Sequence, residues 1–232
     1  MTDTPNALII GANRGIGLGL VKELASRGWT VTGTARNLAA ANDLKGIADA
    51  SGGKVSVAAV DTADAASAER LRDGLAGQVF DVLIVNAGVS GPAKTTRTVE
   101  RDEFADLFVT NALAPVRLGE LLAGNVRPET GVIGMMTSQL GSVEQASAGG
   151  MELYRASKAA LNSFTRSFAA RHRDKKITIL SLHPGWVKTD MGGPNAAVEL
   201  ADSTRGLVDV IERARTDRQD GYFDYTGATL PW

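Results

Sequence analysis

Short apolar runs alternate along the chain with stretches in which apolar residues recur every three or four positions. Ala7–Ile10, Trp29–Ala35, Lys54–Val60, Val79–Val85, Val132–Met136 and Ile177–Leu182 have the length and composition of buried strands. Gly221–Asp224 reads as a further edge strand. Between them, Ile16, Leu20 and Leu24 fall on one face of a helix that closes at Gly28, and Leu71 and Leu75 mark another. A long helix is predicted from about Arg101 to Leu122, with Phe104, Leu107, Phe108 and Leu113 at helical spacing. Leu153, Ala156, Ala160, Leu161, Phe164 and Phe168 define a second long helix, and Val198–Ala214 the last. Strands that alternate with helices in this way imply parallel β-α-β units. The stretches Val89–Glu100, Gly141–Met151 and Gly192–Ala197 read as loops; small residues predict flexibility in the second, and the third is placed as a mobile lid. No repeat, low-complexity tract or linker divides residues 1–232, so one domain is expected.

Composition narrows the chemistry. There is no cysteine, which excludes disulfides, thiol nucleophiles and thiolate metal sites, and two histidines, His172 and His183, make a multi-histidine metal site improbable. A net charge of -1 gives no electrostatic case for nucleic acid or an anionic membrane. Met1–Asn6 shows no basic segment followed by an apolar stretch, and no apolar run approaches bilayer length, so a cytoplasmic location is expected.

Three features carry chemistry. Gly11-Ala12-Asn13-Arg14-Gly15-Ile16-Gly17 lies between a strand and a helix N-terminus, where free N–H groups and the helix dipole favour an anion such as a diphosphate. The end of the second strand reads Thr34-Ala35-Arg36-Asn37, with no carboxylate before Asp43. Arg36 there, with Arg14 as a second cation, points to NADP(H) over NAD(H), because an arginine takes the 2′-phosphate where an acid would take the ribose hydroxyls. Asp61, just beyond the third strand, could accept from an adenine amino group or cap the following helix. Finally, Tyr154 and Lys158 stand four residues apart on one helical face, so the ammonium is expected to pull the phenol down towards working pH and suit it to acid–base work.

With the glycine turn, Asn86-Ala87-Gly88, Ser138 and Tyr154-x-x-x-Lys158 in this order, the sequence resembles the short-chain dehydrogenase/reductase family over essentially its whole length. Within it, Leu182-His183-Pro184-Gly185-Trp186-Val187, Thr189-Asp190-Met191 and the Pro231-Trp232 end look most like the C-factor and sniffer-type carbonyl reductase branch. The resemblance implies a doubly wound Rossmann fold, a mainly parallel sheet of about seven strands with helices on both faces. It implies reduction of a carbonyl to an alcohol, with Tyr154 as proton donor, Ser138 on the substrate oxygen, Lys158 lowering the Tyr154 pKa and holding the nicotinamide ribose, and Asn111 positioning a relay water. The cofactor would lie on Gly11, Asn13, Arg14, Gly15, Ile16 and Gly17, with Arg36 at the 2′-phosphate and Asp61 and Thr62 at adenine. Asn86 would reach the adenosine-side ribose, with Ala87 and Gly88 also against the cofactor; Pro184, Gly185, Val187 and Thr189 would flank the nicotinamide. The implied partners are a small carbonyl or alcohol substrate and a second copy of the chain, as a homodimer or homotetramer. The branch also contains a developmental signal, so a dinucleotide-binding signalling protein is the alternative. Ser138 precedes Tyr154 by sixteen residues, a longer span than the family's commonest, with Ser142 as a rival. Ser138 is preferred because it directly follows a strand and a loop absorbs extra residues at little cost.

Overall fold

The computed structural model describes residues 4–147 and 149–232, so the first three residues, on which the reading of the chain's start partly rests, and Ala148 of the predicted 141–151 loop lie outside the described residues. Seven parallel strands form a single sheet in the order β3-β2-β1-β4-β5-β6-β7. They are β1 (Asn6–Ile10), β2 (Thr30–Ala35), β3 (Val55–Ala59), β4 (Val82–Val85), β5 (Val132–Met136), β6 (Thr178–His183) and β7 (Gly221–Asp224). Helices α1 (Gly15–Ser26), α2 (Asn42–Ala50) and α7 (Leu200–Asp217) cover one face, sealed by Leu20, Leu24, Leu44, Leu207 and Ile211. On the other face, α3 (Ala65–Gly74), α5 (Ala114–Leu122) and α6 (Glu152–Arg171) bury Leu71, Leu118, Leu161 and Phe168. Both faces being covered is why strands such as Ala7–Ile10 and Val82–Val85 are apolar at every position rather than alternating. The doubly wound fold is as the sequence predicts.

The strand order reverses between β1 and β4, which makes the crevice beyond their carboxyl ends the place where such sheets bind ligands. The opposite edge is devoted to stability. Asp81, 4% exposed, accepts from Arg127 Nε and an Arg215 guanidinium nitrogen at 2.9 Å each and from the backbone N–H of Asn6, tying β1, β4 and α7 together.

The predicted Arg101–Leu122 helix is interrupted. α4 (Arg101–Phe108) leads into a π-helical turn at Val109–Leu113 before α5 resumes. Pro115 has no N–H to give the carbonyl of Asn111 four residues back, and the wider turn absorbs the break. The last helix starts at Leu200 and runs to Asp217, a shift of two or three residues at each end from the predicted span. Asp61 does not cap α3; Asp64 does, through Ala66 N–H, while Asp61 accepts from Ala63 N–H.

The Gly192–Ala197 segment, predicted as a mobile lid, is hydrogen-bonded at both ends. Trp186 Nε1 donates to the Gly192 carbonyl at 2.8 Å, Gly193 N–H to Thr189, and Val198 N–H to the Trp186 carbonyl. Among the described residues no helix is long and apolar enough to cross a membrane.

Candidate active site

The segments that follow β1 to β6 meet at the carboxyl edge, each set by its strand. After β1, Gly11 and Gly15 take positive φ (82° and 53°), and the turn delivers the chain into α1. A Cβ on Gly17 would stand 2.0 Å from the Gly11 carbonyl oxygen and 2.7 Å from Asn86 Nδ2, so only glycine lets α1 close onto the end of β1. α1 has no side-chain cap and no acid in its first turn, whereas α3 is capped by Asp64 and α4 by a Glu100–Glu103 capping box. An uncapped helix start facing a glycine cradle fits the diphosphate of a dinucleotide.

Asn86 has a structural bond of its own. Its amide donates to the Gly11 carbonyl at 2.9 Å and holds the turn in shape. Ala87 underlies Gly11 at contact distance. Gly11 N–H and Ala12 N–H bond to the Thr34 hydroxyl and carbonyl, which register the turn on β2. Beyond β2, exposed Arg36 and half-buried Asp61 line one open cavity of about 530 Å³, with Thr62 adjoining Asp61 and Asn13 exposed on the turn. Arg14 is exposed and paired with Asp190 at 2.8 Å, linking the turn to the loop after β6. On that loop the Thr189 methyl lies 3.6 Å from where a Gly15 Cβ would be, so Thr189 sits over the turn. Pro184 is fixed by Ser203, whose hydroxyl donates to its carbonyl, and Gly185 turns at φ 86° against Tyr225 and Val198, carrying buried Val187 beyond it.

The second cluster joins β5, the π-helical turn and α6. Ser138 follows β5, accepts from Leu140 N–H at 3.2 Å, and keeps its own hydroxyl hydrogen to donate. Tyr154 faces it. Burial pushes the phenol above its ordinary value, and the Ser138 hydroxyl works against that rise. This corrects the sequence expectation of a lowered phenol: i,i+4 spacing places Lys158 on the same face, but its Nζ lies 5.8 Å from the ring centroid and donates to the Met136 carbonyl instead. Lys158 is 4% exposed, and desolvation holds its ammonium down to about 8. Gly88 lies between the two polar groups, with Asn111 Oδ1 and Lys158 Nζ each 3.3 Å from its virtual Cβ.

Asn111 is wholly buried and hydrogen-bonded through its amide. Oδ1 accepts from Val89 N–H, and Nδ2 donates to the Val89 carbonyl and to Ser157 Oγ. Ser157 in turn donates to the Tyr154 carbonyl, so Asn111 braces the Tyr154 helix against the β4 loop. Ser142, the rival serine, is 1% exposed and donates to the Trp232 carbonyl. His183 is kept neutral, its pKa lowered to about 4 by burial, and its Nδ1 has no partner among the described residues. Sequence reasoning missed Gly141, whose virtual Cβ would meet the Lys158 backbone at 2.8 Å, and Tyr222, whose hydroxyl donates to the Ser138 carbonyl. Only its lack of a side chain marked Gly141; nothing local marked Tyr222.

A family model described as short chain dehydrogenase matches residues 5–199. C-signal of Myxococcus xanthus is 40% identical over 153 residues, spanning 66% of this chain and 92% of that protein. A putative short-chain dehydrogenase/reductase from Burkholderia multivorans with bound NADP superposes with a TM-score of 0.95 at 42% identity, covering 99% of this chain and 100% of that one. The carbonyl reductase Sniffer of D. melanogaster gives a TM-score of 0.92 at 31% identity, with 99% and 100% covered. Model match, sheet order and the glycine turn agree: the chain belongs to the short-chain dehydrogenase family.

Proposed function

We propose that the chain is an NADPH-dependent reductase of aldehydes or ketones. The observation that carries this reading is the convergence of Ser138, Tyr154 and Lys158 beside a glycine cradle at the switch point of the sheet. A bound NADPH would supply the hydride, with its diphosphate on Gly11–Gly17 and Thr189 and its 2′-phosphate on Arg36. The chain's own residues handle the oxygen. As negative charge develops there, the Ser138 hydroxyl donates a hydrogen bond to it and the Tyr154 hydroxyl gives up its proton to form the alcohol. The Lys158 ammonium, 5.8 Å from that ring, would hold the nicotinamide ribose. A phenol that burial keeps protonated is suited to donating, which favours the reductive direction.

The likeness to C-signal supports a second reading, a signalling protein that binds the dinucleotide without turnover. A pure binder gains nothing from burying an ammonium beside a phenol, so the reductase reading is preferred. Phe104, Leu113 and Phe164 are exposed on the helices flanking Asn111 and Tyr154 and would form the face of a homodimer or homotetramer.

Three outcomes are expected. Tyr154→Phe lowers kcat for NADPH oxidation with a panel of aldehydes and ketones by about 100-fold or more, the size of a lost general acid; equal rates in the two proteins would refute the reductase. Arg36→Asp lowers kcat/KM for NADPH by about 10- to 100-fold, the worth of a charged hydrogen bond, and spares NADH; unchanged selectivity would show that Arg36 points elsewhere. Light scattering gives a mass at least twice 24.3 kDa, and Phe164→Glu reduces it; a monomer in the unmutated protein contradicts the assembly.

A further inference from the structure

Ser138 lies one residue past the sheet pairing of Thr137 N–H with the Leu182 carbonyl, in extended backbone (φ -151°, ψ 145°). Past that point its carbonyl accepts from Gly141 N–H at 2.7 Å, within the turn that follows. The same carbonyl has a second donor from outside that turn: Tyr222, on the edge strand β7 and 1% exposed, gives its hydroxyl to it. The Tyr222 ring is backed in turn by Trp232, with centroids 5.2 Å apart and planes tilted by 33°. Arg166 of α6 places its guanidinium 5.1 Å from the Trp232 ring, and Leu230 N–H returns to the Tyr222 carbonyl at 2.8 Å.

The same segment grips the next turn of chain. The Trp232 carbonyl accepts from the Ser142 hydroxyl at 3.3 Å and from Glu144 N–H at 3.2 Å. Gly141 is meanwhile pressed onto the Lys158 backbone. The extra length between Ser138 and Tyr154, expected as a flexible loop, is therefore pinned at both ends of its first half, by residues more than eighty positions away in sequence.

We propose that Tyr222, backed by Trp232, is a positioning residue: by fixing the Ser138 main chain it aims the Ser138 hydroxyl at the substrate oxygen beside Tyr154. This rests on the reductase reading and on Ser138 acting as the hydrogen-bond donor within it. Tyr222 acts through Ser138, the residue its hydroxyl bonds. Burial holds its phenol protonated, with a pKa pushed up to about 12, so the donor persists across the working range of pH.

The test is a double-mutant cycle on the full chain with NADPH and a reducible carbonyl, using Tyr222→Phe, Ser138→Ala and the pair, with amide hydrogen exchange of residues 140–145. Phenylalanine keeps the ring against Trp232 and removes only the donor. Tyr222→Phe is expected to lower kcat about tenfold, leave the Kd for NADPH unchanged and speed exchange in 140–145, with no further loss of kcat when added to Ser138→Ala. A wild-type kcat in Tyr222→Phe would overturn the proposal while leaving the reductase reading intact. So would an equal loss in the Ser138→Ala background, since the effect would then not pass through Ser138. A wild-type kcat in Ser138→Ala would sink the role of Ser138 in the reading itself, and the proposal with it. Should Tyr222→Phe fail to fold, Ser142→Ala, which cuts one tie to Trp232, is expected to show the same non-additivity with a smaller loss; additivity there would overturn the proposal equally.

Discussion

The structure depends on keeping an ammonium dry. Lys158 is buried where β5 meets α6, and its charge there costs on the order of 3 kcal/mol relative to water, judged from a pKa brought down from 10.5 to about 8. The sign follows from linkage: the unfolded chain holds this proton more tightly than the folded one, so the cost is present in full below about pH 8 and fades as pH rises towards 10.5. Such a cost persists only if the surroundings leave the side chain no way out. The Met136 carbonyl fixes its end, Gly141 lets the chain close over its backbone, and the Asn111 strut holds α6 against the β4 loop.

Stability and chemistry occupy opposite edges of one sheet. At the amino ends of the strands, buried Asp81 accepts from Arg127, Arg215 and the start of β1. At the carboxyl ends the chain leaves donors open: the uncapped start of α1, the free hydrogen of Ser138, the exposed guanidinium of Arg36.

Much of this was legible in the sequence. Fully apolar strands and helical periodicity gave the order of elements, and the glycine turn, Ser138 and the Tyr154–Lys158 spacing located the carboxyl-edge site. What stayed hidden has physical reasons. Spacing of four residues says that Tyr154 and Lys158 share a face, but it carries no information on burial, and burial reversed the expected direction of the phenol's shift. Periodicity over Arg101–Leu122 does not distinguish an α-turn from a π-turn, and the effect of Pro115 was overlooked. The structural partners of Asn86 and Asn111, the Gly11 and Val89 backbones, lie 75 and 22 residues away, beyond the reach of local pattern. The composition of Gly141–Met151 and Gly192–Ala197 suggested mobility, yet Trp232 and Trp186 restrain parts of both through contacts composition does not encode.

The burial of Lys158 can be measured without any assumption about substrate. Titration of the protein with isotope-labelled lysine by NMR, with the Lys158 signal assigned through Lys158→Met, follows the ammonium directly. A midpoint near pH 8, well below that of the surface lysines, is the predicted result. A midpoint near 10.5, with the surface lysines, would show a solvated ammonium and contradict the account of the site built around it.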